Sequence, residues 1–94
     1  MKIERYESIW DAIEPSAAEA ANMKARAALM MAIRKVIDGW RATQSEAAKR
    51  LEISQPRLND LLRGRINKFS LDALVELADR AGLSVQVRIV RRAA

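Results

Sequence analysis

The chain of 94 residues carries 17 Lys and Arg against 12 Asp and Glu, a net charge of +5, with half its residues hydrophobic and 4% aromatic. One domain with a small core fits that length, and Leu, Ile, Val, Met and Ala must fill it, a composition that favours helices. The sequence has no cysteine, no histidine and only three glycines, which removes disulfides, Cys/His zinc sites, histidine bases, thiol nucleophiles and glycine-rich phosphate loops, so no enzyme, metal or cofactor is expected.

Charge is divided along the chain. Residues 1–22 hold two basic and five acidic residues, a net −3, whereas the following 72 hold 15 basic and seven acidic, a net +8. The basic part has the sign of a nucleic-acid binder, and the acidic part would be repelled by phosphate and should face something else. Residues 1–15 form an acidic lead segment, with acids where a secretion signal needs an apolar stretch; with no long uncharged apolar run elsewhere, the chain reads as cytoplasmic and free of membrane spans. Tyr6, Ile9, Trp10 and Ile13 recur in this segment at helical spacing. They either fold back on the first helix or dock on a basic protein partner.

A helical domain is expected over 16–82. Ser16 followed by Glu19 has the capping-box pattern, and Met23, Ala27, Met30, Ile33, Ile37 and Trp40 recur at three- and four-residue steps, predicting a helix over roughly 16–39 with Met30 and Met31 as core filler. Thr43 with Glu46 is a second capping box, opening a short helix whose Ala47, Ala48 and Leu51 face inward. Ser54 caps a third helix, about 55–63, with Pro56 in its first turn, Leu58, Leu61 and Leu62 turned to the core, and Gly64 as its left-handed end. A loop, RGRINKFS, leads to Ser70, the cap of a fourth helix carrying Leu74, Leu77, Ala78 and Ala81 and closed by Gly82.

The period then changes. In the terminal segment, 83–94, Leu83, Val85, Val87 and Ile89 alternate with other side chains, predicting a β-strand. Nothing else in the sequence reads as its partner, so it pairs with the same strand of a second copy across a two-fold axis or folds back along its own domain edge. The expected fold is an all-α helix-turn-helix bundle with a C-terminal β-strand used for dimerisation.

Two short helices with a tight turn, the second exposing polar side chains at its start, make a helix-turn-helix. The stretch TQSEAAKRLEISQPRLNDLLRGR resembles the XRE family of phage-repressor and Cro-type regulators, with its Thr-Gln opening, paired alanines, Ile-Ser before the recognition helix and Arg-Gly at its end; FSLDALVELADRAGLSVQV extends the resemblance toward the tail. YESIWDAIEPSAAEA ahead of a long helix resembles the antitoxin branch, paired with host-inhibition-type ribonuclease toxins. Two positions depart from the family pattern: Glu52 stands where the turn usually has glycine, and Gly39 comes earlier than the usual glycine, with Arg41 at the familiar place.

A recognition helix reads bases near its N-terminal end, which assigns base contacts to Gln55, Pro56, Arg57, Asn59 and Asp60. The amides of Gln55 and Asn59 suit adenine, the Arg57 fork suits guanine, and Pro56 offers only apolar contact. Asp60 either accepts from cytosine or pairs with Arg57 or Arg63. Thr43, Gln44 and Ser54 at helix starts, with Arg63, Arg65, Asn67 and Lys68 after the recognition helix, are placed as DNA-backbone contacts; Arg63 also suits a helix end with no ligand, and Lys49 and Arg50 read as solvated surface. The resemblance implies a repressor binding double-stranded operator DNA of inverted-repeat form as a homodimer, and an antitoxin that autoregulates its operon and holds a small basic ribonuclease toxin. The alternatives are a stand-alone XRE-type regulator and a protein-interaction module that no longer binds DNA.

Overall fold

A computed structural model describes residues 16–93. The lead segment 1–15, with Tyr6, Ile9, Trp10 and Ile13, lies outside the described residues. Four α-helices follow in order, α1 (Ala17–Trp40), α2 (Gln44–Leu51), α3 (Gln55–Leu62) and α4 (Leu71–Arg80), with one 3-10 turn, Ile66–Lys68, between the last two.

Each helix starts at the side chain the sequence marks. Ser16 and Thr43 both complete reciprocal capping boxes: the hydroxyl accepts from the N–H of Glu19 or Glu46, and that glutamate's carboxylate accepts from the cap N–H at 2.8 and 2.9 Å. Ser54 and Ser70 accept from Arg57 and Ala73 N–H at 3.2 and 3.1 Å. A cap of this kind contributes about 1 kcal/mol, so helix starts are fixed before tertiary packing is counted.

The ends share a motif. At α3 the Gly64 N–H donates to the Leu61 carbonyl and Arg65 to Asp60; at α4 Gly82 donates to Asp79 and Leu83 to Ala78. Both are Schellman endings with glycine at positive φ, +72° and +85°. The same pair of bonds closes α2, Glu52 to Lys49 and Ile53 to Ala48, but here the left-handed residue is Glu52 at φ 58°.

The core gathers one face of every helix: Met30, Ile33 and Ile37 of α1, Ala47, Ala48 and Leu51 of α2, Leu58 and Leu61 of α3, and Leu74, Leu77 and Ala78 of α4, closed by Phe69 and Ala81. The apolar stripe of α1 is buried only in its C-terminal half. Met23 is partly exposed, and Met31, expected as core filler, is 67% exposed; one residue after a buried position points about 100° away on a 3.6-residue turn. Among the described residues Phe69 is the largest fully buried side chain. It directly precedes the Ser70 cap, with Leu74 five residues on, which is the spacing of a hydrophobic staple.

The expected C-terminal β-strand, and with it the strand pairing assigned to Leu83, Val85, Val87 and Ile89, is not found: the described residues are all-α and contain no strand. Alternating side chains make a strand only when a second backbone supplies the ladder of hydrogen bonds, and the described part of this chain offers none. Leu83 packs against the core, whereas Val87 and Ile89 are 81% and 89% exposed. Among the described residues no helix is long and apolar enough to cross a membrane.

Candidate nucleic-acid interface

α2 and α3 are joined by three residues. The left-handed Glu52 reverses the chain, Ile53 packs inward against the core, and Ser54 caps α3. Pro56 fits the first turn because the N–H it lacks would have no partner inside the helix.

On α3, Gln55, Pro56 and Asn59 are exposed. Burying Leu58 and Leu61 turns this polar side outward, and it carries two amides able to donate and accept at once. The two charged residues assigned with them are engaged within the domain. Asp60 pairs with Arg65 at 3.5 Å, a third alternative to Arg57 and Arg63. Arg57 is half-buried; its guanidinium donates to the Lys68 carbonyl at 2.6 Å and lies 4.0 Å from the centre of the Phe69 ring.

Around α3 the residues assigned to the DNA backbone fall into two groups. Gln44 is the first residue of α2 and shares a shallow cleft with Arg41 of the preceding turn and with Leu58 and Leu62 of α3. The hydroxyls of Thr43 and Ser54 accept from their own helices. Arg63, Asn67 and Lys68 are exposed, and Arg65 is exposed beside its Asp60 partner. Arg50 lies 4.1 Å above Trp40, so it is tied to α1 rather than freely solvated.

Sequence reasoning missed what α1 adds. Arg26 donates to the carbonyls of Ile66 and Phe69 at 3.1 and 3.3 Å, and Arg34 reaches within 3.6 Å of the position a Cβ on Gly64 would take. Neither has a local signature, since each partner lies 30 or more residues away in sequence. Phe69 left a signal, as an aromatic immediately before a helix cap.

Over residues 12–90 the chain matches the family model described as a helix-turn-helix domain. A solved structure assigned to the XRE family of transcriptional regulators superposes with a TM-score of 0.72 at 32% sequence identity, covering 80% of this chain and 89% of that one. No curated protein matches the sequence. The chain therefore belongs to the helix-turn-helix family, in its XRE-type branch.

Proposed function

We propose that this chain is a sequence-specific transcriptional repressor that binds an inverted-repeat operator as a homodimer, and that it is the antitoxin of a toxin pair autoregulating its own operon. The observation that carries DNA binding is the outward side of α3: Gln55, Pro56 and Asn59 exposed at the start of a firmly capped helix, with Arg63, Arg65, Asn67 and Lys68 just beyond it. Gln55 and Asn59 suit adenine, and the basic residues with Gln44 suit phosphate. Titrating the chain with a short duplex of mixed sequence at several salt concentrations tests this. Affinity should fall on a log–log plot with a slope of about −0.9 for each phosphate neutralised; a salt-independent or undetectable affinity leaves only the protein-interaction reading.

Homodimerisation is supported by the apolar surface beside the tail. Ala28 and Ala32 of α1, Leu71 and Val75 of α4 and Val85 and Val87 of the terminal segment line one cleft that has no charged residue on its walls, so covering it desolvates no charge. Ile89 and Val90 add exposed apolar surface beyond it. Two recognition helices related by a two-fold would meet half-sites about 34 Å apart.

The antitoxin role is supported by the charge division, −3 over residues 1–22 against +8 over the rest, because a ribonuclease that attracts RNA presents a positive surface to an acidic segment. Co-expression with the product of the adjacent gene decides it. A small basic ribonuclease that co-purifies and loses activity is the expected result; a neighbour that neither binds nor is inhibited leaves a stand-alone regulator.

A further inference from the structure

The 3-10 turn after the recognition helix is gripped from two sides by guanidinium groups. From α1, Arg26 donates to the Ile66 and Phe69 carbonyls at 3.1 and 3.3 Å; from α3, Arg57 donates to the Lys68 carbonyl at 2.6 Å. Three of the four carbonyls between Ile66 and Phe69 thus accept from arginines of two different helices. Below them Phe69 is 1% exposed, and the Arg57 guanidinium lies 4.0 Å from its ring centre. A guanidinium held by a charge-assisted bond on one edge and an aromatic face below is planar, fixed and partly desolvated. Lysine could supply the charge but neither the fork nor the stack.

Resting on the reading that α3 and this turn face DNA, we propose that Arg57 and Arg26 are positioning residues, which hold the Ile66–Lys68 turn rigid so that Asn67 and Lys68 meet the phosphate backbone, and that Arg57 acts through Lys68 rather than reading a base. Two features favour this role. The turn is only three residues long and keeps two backbone bonds of its own, Lys68 to Arg65 and Phe69 to Ile66; 3-10 bonds have poorer geometry than α-helical ones, so the two side chains that bind its carbonyls add to its rigidity. For Arg57 to read guanine it would have to leave both the Lys68 carbonyl and the Phe69 face, whereas Lys68 is exposed and has no partner among the described hydrogen bonds and ion pairs of its side chain.

The test combines a signature in the free protein with DNA binding by variants. In the wild-type chain the side-chain protons of Arg57 should show the upfield ring-current shift of a group stacked on Phe69, and that shift should persist when duplex is added. Arg57→Ala, Arg26→Gln and Lys68→Ala should each weaken binding by similar factors on a mixed-sequence duplex and on the tightest duplex selected from a random pool. Each should reduce the salt slope by about one. The Arg57→Ala, Lys68→Ala double variant should lose no more than either single one. Arg57→Lys, which keeps the charge and is less prone to unfolding, should bind like Arg57→Ala once its melting curve shows a folded protein. Loss of the ring-current shift on adding DNA, or an Arg57→Ala defect confined to the selected duplex, would overturn the proposal and make Arg57 a base reader. Failure of the wild-type chain to bind either duplex, with the ring-current shift present, would instead remove the DNA-binding reading and the proposal with it.

Discussion

At the C-terminal end of α1, Gly39 sits within the helix with nothing inside 4 Å of where a Cβ would stand, while Arg41, two residues on, takes the left-handed cap at φ 54°. Glycine is thus where alanine would serve better, and arginine is where the backbone calls for glycine. Glu52 repeats the second mismatch inside the helix-turn-helix turn, as its sequence position against the family pattern indicated. A non-glycine residue in this region costs about 1 kcal/mol, and a glycine in a helix about 0.5–1 kcal/mol relative to alanine. Glu52→Gly alone, and Gly39→Ala combined with Arg41→Gly, should therefore each raise Tm, by about 4–8 °C per kcal/mol gained in a domain of this size. Thermal unfolding followed by circular dichroism checks both; a lower Tm for Glu52→Gly would mean that the Glu52 side chain makes a stabilising contact outweighing the strain. At the reading surface, Asn59→Ala should lower affinity for the selected duplex by about 1–3 kcal/mol and leave mixed-sequence binding unchanged, as competition between the two duplexes would show.

Helix starts were legible because a cap is a local event: Ser16, Thr43, Ser54 and Ser70 each bond to a backbone group three residues away. The inward faces of α2, α3 and α4 followed from periodicity, and the buried residues are the ones that periodicity selects. The tail was misread for the opposite reason. Its alternation describes what the side chains would do in a sheet, but a sheet needs a second backbone, which periodicity does not supply. The engagement of Arg57 was hidden likewise, since it depends on a carbonyl 11 residues away; the Phe69 ring beneath it left a signal, but nothing in the spacing tied that ring to Arg57. At this scale the terminal segment should be separable from the folded unit. Truncation after Leu83, the last residue packed against the core, should leave the chain folded, its Tm falling by calorimetry no further than the lost dimer linkage requires; a fall that persists against the full-length chain diluted to the monomer would show that residues beyond 83 support the fold of the single chain.

For the whole molecule, dimerisation and DNA binding should be linked. Val87→Glu places a charge on an exposed position in the apolar cleft, where the single chain tolerates it and a covered interface does not. Sedimentation should show a monomer, with Tm lowered only by the lost dimer linkage, and operator binding should weaken, while an unchanged dimer would place the two-fold elsewhere on the surface. The length of α1 has a further consequence. The helix has 24 residues, about 36 Å at 1.5 Å per residue, yet its first buried residue is Met30. Among the described residues its first three turns are held by the Ser16–Glu19 cap and by alanine-rich propensity, with Arg26 the first of its side chains to grip the rest of the described domain. An isolated helix of that length is marginal in water, so these turns should open and close while the bundle stays folded. Amide exchange should then rise stepwise toward the N-terminus, with Ile33 and Ile37 released only by global unfolding, and a protease should nick α1 ahead of Arg26 before it cuts anywhere in α2 or α3.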